Sequence, residues 1–300
     1  MLGQLFRRAF FLAQWQVGWS RIRIGDFIDA PTQATFNWIC PEPKEISFAD
    51  PFGFEIGSGL QIYAERVSHS VMDGRIVRLD VRDNARETAV LAKPWHLSYP
   101  FIVEHGQARF LVPEQRNAGH LAFYPLSEDG TVEETPTAVL ENMAVLDGTL
   151  LHRDGYWWLF AASPDIETGN GGLLLFFSER LTGPYTAHPS NPIVTDRRCA
   201  RPAGRIIDLG DRLLRPGQDS MGSYGEAISL SEITVLDARR YAEHLVTQIR
   251  PGDLQGGFPL GTHHLDHTEN YVLVDSRRSV FCWYAPWLKL KARLSTKRRS

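Results

Sequence analysis

The sequence predicts an all-β protein: a single five-bladed β-propeller with four-stranded antiparallel blades and a short N-terminal helical or extended segment. Three observations predict it. Five segments of the 300-residue chain share one cadence, their lead residues recur about every 50 positions, as propeller repeats do, and helix-period patterning is scarce. Each segment starts on a polar or proline-bearing stretch, runs through a short apolar strand, turns on Gly, Asp or Asn, and returns, which is the pattern of a β-hairpin.

The elements follow in order. The first dozen residues read as helix, and AQWQVGW (13–19) is β-prone and aromatic. An open ring would leave strand edges exposed, so residues 1–47 are expected to contribute a closing strand to the last blade. The five hairpins are FADPFGFEIGSGLQIYAERV (48–67), LSYPFIVEHGQARFLVPEQR (97–116), LDGTLLHRDGYWWLFAASP (146–164), ARPAGRIIDLGDRLLRPGQD (200–219) and GTHHLDHTENYVLVDSRR (261–278). Third strands are expected at 74–81, 119–126, 172–179 and 224–233, with a more variable fourth such as ETAVLAKP or YTAHPSNPIV. The blades thus start near 48, 97, 146, 200 and 261, the propeller spans 48–283, and a basic tail follows at 284–300. DARRYAEHLVTQI (237–249) is the second helix-like stretch. A two-sheet sandwich is the structural alternative, but it leaves the recurrence of unusual polar residues at one point of each unit unexplained.

Composition narrows the function. A net charge of -3 argues against a general nucleic-acid surface, so none is expected as partner. The three cysteines, Cys40, Cys199 and Cys282, lack metal or disulfide spacing. No cofactor or metal is expected, and the sequence lacks phosphate-loop, dinucleotide, serine-hydrolase and zincin motifs. The apolar run near the N-terminus is short and no stretch reaches membrane-spanning length. The expectation is a cytoplasmic protein. The tail KLKARLSTKRRS, with Trp283, Tyr284 and Trp287 ahead of it, is a candidate for weak contact with an anionic membrane surface.

Innermost strands of a propeller run beside the axis, so the residues that start them converge at one end of the channel. The converging set is Asp50, Tyr99, Asp147, Arg201 and His263, joined from later strands and turns by Glu114, Arg215, Gln218, Asp219 and Glu226. Two or three carboxyl groups facing one cavity suit glycosyl-bond chemistry, which needs a proton donor and a second carboxyl that activates water or attacks carbon. Asp50, Asp147, Glu114 and Glu226 are the catalytic candidates. Tyr99, Arg201, Arg215, Gln218, Asp219 and His263 are candidates for holding substrate, since paired guanidinium groups grip anions. In GTHHLDH the two adjacent histidines point to opposite faces of a strand, which disfavours a metal cluster.

The run of signatures QWQVG, FADPF, HLSYPFIVE with FLVPE, LDGTLL with YWWLF, ARPAGR with RPGQD and YG, and GTHHLD resembles the β-propeller domain at the N-terminus of plant glucosamine inositolphosphorylceramide transferases and their bacterial relatives. More distantly it is similar to five-bladed glycoside hydrolases of the arabinanase and invertase type. The hydrolase resemblance implies a base or nucleophile at Asp50, an orienting carboxylate at Asp147 and a Glu acid. Glu114 lies one blade early for that acid and Glu226 on a later strand. The nearer resemblance implies glycan or glycolipid metabolism, with a saccharide or glycolipid as substrate. A glycosidase or glycosyltransferase is the leading reading, and a non-catalytic glycan-binding module partnering a glycosyltransferase is the alternative.

Overall fold

The computed structural model describes residues 2–297 apart from 58, 72, 83–85 and 166–170. Five antiparallel sheets surround a central channel, forming a five-bladed β-propeller. The first blade comprises Ile46–Ile56, Gly59–Ser68, Asp73–Asp80 and Arg86–Leu91, and the second Ser98–His105, Ala108–Glu114, Leu121–Pro125 and Thr137–Val139. The third is built from Leu146–Arg153, Tyr156–Ala162, Leu173–Ser178 and Thr186–Ala187. In the fourth, Arg201–Pro202 and Ile207–Asp208 both pair with Leu213–Asp219, followed by Ala227–Leu236 and Tyr241–Ile249.

The fifth blade joins both ends of the chain. Leu265–His267 and Val272–Phe281 lie inside, and the N-terminal strands Phe11–Ser20 and Asn37–Ile39 complete the sheet. Phe11–Ser20 pairs with its neighbour along its whole length, from Phe11 opposite Phe281 to Ser20 opposite Val272. The ring is therefore closed by backbone hydrogen bonds, which removes two strand edges.

Apolar faces of adjacent blades meet in five seams. One joins Tyr63, Ile76 and Leu97 to Ile102, Leu111 and Tyr124, and another joins Phe101 and Phe123 to Leu159 and Phe176. Further seams unite Phe160 with Ile206 and Ile233, and Leu230 and Ile249 with Leu265 and Val274. The last sets Val17, Ile39 and Leu273 against Phe48, Ile62 and Val77, so the N-terminal strands pack directly on the first blade. A short helix (Ile24–Asp29) buries Phe27 in the seam between blades four and five.

Residues 237–249 correct the sequence reading. Tyr241–Ile249 is the outer strand of the fourth blade, not a helix. An outer strand is solvated along much of its length, and Leu245 and Val246 remain exposed. Its apolar residues need not alternate strictly, so local patterning does not separate strand from helix and the pairing partner decides.

Candidate functional site

The first three blades share one device at the start of the inner strand. Asp50-Pro51, Tyr99-Pro100 and Asp147-Gly148 each stand where the pairing register slips, two residues opposite one on the neighbouring strand. These are β-bulges, which bend a strand and re-aim its side chains. Asp50, Tyr99 and Asp147 adopt φ values of 49°, 46° and 53°. Side-chain-bearing residues seldom take this left-handed conformation, and the strain it stores is characteristic of functional sites. The bulge explains why a carboxylate can sit between Ala49 and Pro51 at the head of an apolar strand.

Asp50 is almost wholly buried at 6% exposure. Its Oδ2 accepts the Tyr99 N–H at 3.3 Å, and its own N–H points to Asp275 Oδ2 at 3.4 Å. His263 sets Nε2 3.8 Å from Asp50 Oδ1 and Nδ1 2.5 Å from Asp275 Oδ2. Asp275 Oδ1 accepts the backbone N–H groups of His263 and His264. Trp15, from the N-terminal closing strand, stacks on the His263 ring at 4.0 Å between centroids, and Tyr224 meets that ring edge-on.

Burial pushes the Asp50 carboxyl up to about 8, with Glu65, Asp147 and Asp275 adding to the rise and His263 opposing it. Burial alone would lower the His263 imidazolium, but Asp275 and Asp50 outweigh it and raise the ring above its usual value. Asp275 is likewise disfavoured as an anion by burial, yet His263 brings it below the usual carboxylate range. The row thus favours a protonated Asp50, a charged His263 ring and an ionised Asp275. Asp50, His263 and Asp275 could also offer one ligand atom each within 4.8 Å of one another. Their mutual contacts and the two backbone donors on Asp275 already account for much of that donor capacity.

A second group faces the same end. Asp147 Oδ2 accepts Arg201 Nε at 2.5 Å and Gln218 Nε2 at 3.1 Å. Arg201 Nη2 lies 3.8 Å from Glu114 Oε2, an atom that is buried without a hydrogen bond. Burial, reinforced by Asp147, pushes the Glu114 carboxyl well above its usual range, with Arg201 opposing. Arg201 lies over the half-exposed Tyr224 ring, 5.7 Å from its centroid. Three carboxyl groups from three blades therefore meet here with Arg201 and His263.

Other predicted residues lie elsewhere. The Tyr99 ring is fully buried, and its hydroxyl is held by Thr149 Oγ1 at 2.6 Å and by the Gly204 N–H at 2.8 Å, so it pins neighbouring blades. Arg215 is buried inside the fourth blade, forked onto Glu243 at 2.7 and 2.5 Å. Asp219 accepts from Met221 N and Gln248 Nε2. Glu226 is exposed and receives the Gly222 N–H, and with Asp219 it lines a side cleft of about 510 Å³. The sequence positions of these four were compatible with the channel, but strand alternation and a turn direct their side chains away.

Glu65, Asp275 and Trp15 are site residues that the sequence reading did not single out. Glu65 lies opposite Ala49 in the pairing register as Glu114 lies opposite Ser98, and it holds His96 Nε2 at 3.0 Å. The signal was present: superposing the first two hairpin segments puts both glutamates at the eighteenth position. Asp275 and Trp15 carry no such mark, because they come from the return strand and from the closing strand.

A cavity of about 1090 Å³ lies at the other end of the channel. Glu55, Glu104, Trp157, Asp208 and His267 line it, with Arg205 reaching Asp266 Oδ1 at 3.1 Å and the Ile102 carbonyl at 3.0 Å.

The fold agrees with comparisons against known proteins. Residues 42–266 match the family model described as glucosamine inositolphosphorylceramide transferase 1, N-terminal. The chain belongs to this family. It is 32% identical over 218 residues to glucosamine inositolphosphorylceramide transferase 1 of Oryza sativa subsp. japonica, covering 68% of this chain and 29% of the relative. The Arabidopsis thaliana protein of that name is 30% identical over 206 residues, covering 65% and 26% respectively. The chain thus spans under a third of the length of these family members. Among solved structures, a family 117 glycoside hydrolase from Zobellia galactanivorans superposes with a TM-score of 0.52 at 12% identity, covering 89% of this chain and 90% of that one. An exo-beta-1,3-galactanase from Clostridium thermocellum gives 0.53 at 11% identity, covering 74% and 56%. At such identities these two establish the shared propeller fold alone.

Proposed function

We propose that this propeller acts on a glycosyl bond in glycan or glycolipid metabolism, with its chemistry at the Asp50, Glu114 and Asp147 end of the channel. The observation that carries the reading is the meeting of three buried carboxyl groups on strained bulges and adjacent strand ends, with burial pushing two of them toward the protonated form. Glycosyl transfer or hydrolysis passes through a positively charged sugar ring and needs a proton for the leaving oxygen. Burial pushes the Asp50 carboxyl up to about 8 and the Glu114 carboxyl well above its usual range, which favours their protonated forms, and Asp147 is set beside them by Arg201 and Gln218. A proton-donor role for Asp50 departs from the base or nucleophile role implied by resemblance to the hydrolases. Glu114 is preferred over Glu226 as the second acid, because it is buried beside Arg201 and Asp147 while Glu226 is exposed in a turn. The printed names of the family members and of the superposed hydrolases support a saccharide as the substrate class.

The deciding experiment is turnover of a panel of glycosides, glycolipids and nucleotide sugars by the wild type, Asp50→Asn and Glu114→Gln, with folding checked by circular dichroism. Loss of about 10²–10⁴-fold in either variant supports the reading. Saccharide binding without turnover, weakened only several-fold by the substitutions, selects the binding-module alternative. Neither turnover nor binding by the wild type rejects both.

A further inference from the structure

Both ends of the chain leave the fifth blade together and form a surface unlike the rest of the molecule. An N-terminal helix (Leu2–Phe10) precedes the closing strand, and a C-terminal helix (Ala285–Lys297) follows the strand Val272–Phe281. They are tied down. Lys289 Nζ donates to the Arg8 and Phe11 carbonyls at 2.5 and 2.9 Å, Cys282 N–H donates to the Phe10 carbonyl, and Tyr284 Oη reaches Glu45 Oε2 at 2.7 Å. Leu12, Cys282, Ala285 and Leu288 form a small apolar core beneath.

The outer side of this unit is aromatic and basic. Trp283 is 73% exposed, Trp287 60% and Phe6 52%, with Leu5, Phe281 and Leu290 also exposed. Large apolar side chains gathered in this way mark an interaction surface more than chance exposure. Arg7, Arg8, Lys291 and Arg293 are exposed among them, and neither helix contains an acidic residue. The whole chain, by contrast, is net acidic at -3. Lys291 lies over the Trp287 ring, 5.3 Å from its centroid. Tryptophan belts with interspersed cations and no anions complement the boundary between anionic headgroups and acyl chains.

The position of the surface is as informative as its composition. Val272–Phe281 runs toward the carboxylate end of the channel, where Asp275 meets His263, and then continues. Trp15 stacks on His263 and pairs in register with Arg277, and the strand ends four residues later at Phe281. At about 3.3 Å per residue the aromatic surface stands roughly 13 Å beyond that stack, on the same end of the propeller as the mouth above Asp50 and Asp147.

We propose that the paired terminal helices dock this propeller on an anionic lipid surface, with the carboxylate mouth facing the headgroup layer. The docking stands on the surface itself, independently of whether the site makes or breaks glycosyl bonds.

The experiment is co-sedimentation of the full chain with phosphatidylcholine vesicles with and without phosphatidylserine, run beside tryptophan quenching by brominated lipid. Expected are binding to the anionic vesicles that weakens with salt, and quenching that Trp283→Ser with Trp287→Ser removes. Charge reversal at Arg7 and Arg8 should lower partitioning about tenfold or more. Thermal melting should be unchanged in these variants, since the side chains are exposed. Failure to bind phosphatidylserine vesicles, or binding indifferent to both sets of variants, overturns the proposal. So does self-association on sizing columns that the tryptophan variants abolish, which would assign the surface to a second copy. Turnover of soluble saccharides surviving all of these substitutions separates a failure of docking from a failure of the glycosyl-bond reading.

Discussion

The two mouths of the channel are built from opposite ends of the same inner strands, yet they differ in burial, backbone and charge. At the lower mouth the cavity is large, and the carboxylates that line it are peripheral, Glu104 pairing with Arg109, Asp208 with Arg153 and Glu55 with Asn270, while the buried Asp266 behind them is held by Arg205 and the Gly53 N–H on ordinary backbone. At the upper mouth Asp50, Glu114 and Asp147 are each at least 94% buried, two of them on left-handed backbone, and contact partners from other blades. Exposed ion pairs cost little to form and contribute little. Buried carboxyl groups on strained bulges are costly, and persist only where the surrounding fold holds them. Cavity size therefore points to the lower mouth, whereas stored strain and buried charge point to the upper one.

The largest effect that would sharpen this contrast is on reactivity. Glu114→Gln or Asp50→Asn should lower turnover about 10²–10⁴-fold, while Glu104→Gln at the lower mouth leaves it unchanged in the same assay. Equal losses at the two ends would erase the distinction.

Next comes stability. Arg201→Met strands the Asp147 carboxylate in a buried setting and should destabilise the fold by about 3–5 kcal/mol in chemical denaturation. Adding Asp147→Asn should recover part of that loss, since the uncompensated charge is gone. Additive losses would show that the pair is not coupled.

A smaller effect is the pH dependence. Burial pushes the Asp50 carboxyl from its ordinary 3.8 up to about 8 in the folded protein, so between those values the folded state holds a proton that the unfolded state has released. Stability then falls as pH rises through this window. The raised His263 imidazolium acts in the same direction, its contribution being lost as pH climbs through its folded value. Melting temperature should decline from pH 6 to 9 and decline less steeply in Asp50→Asn. An identical slope in the variant would contradict burial as the cause.

Smallest of all, Glu104→Gln and Asp208→Asn should change stability by no more than about 0.5 kcal/mol, because both carboxylates are exposed. A larger change in a urea melt would mean that the lower mouth is more tightly built than its exposure indicates.

The repeat itself was readable from local signals. Hairpin turns, apolar runs and the recurrence of a polar residue before each inner strand sufficed to place Asp50, Asp147 and the five units. Arg201 and His263 were legible for the same reason. Glu65 was legible in principle, by superposing two neighbouring units. Asp275 was not, since nothing in VLVDSRR distinguishes a carboxylate aimed at His263 from an ordinary strand residue. Arg215 was misleading: its RPG context matches the RPAG of Arg201, but in its own strand it faces Glu243.

By itself the sequence determined the periodic part of this protein: strand ends, bulge positions and the polar residues they carry, all encoded within stretches of about 20 residues. Only the tertiary structure decided which of those residues meet, that Glu114 and not Glu226 joins Asp147, that Trp15 covers His263, and that the two chain ends rise beside the upper mouth. The physical reason is ring closure. Asp50 and Asp275 are 225 positions apart, and they touch because the N-terminal strands complete the last blade and bring the first blade against it.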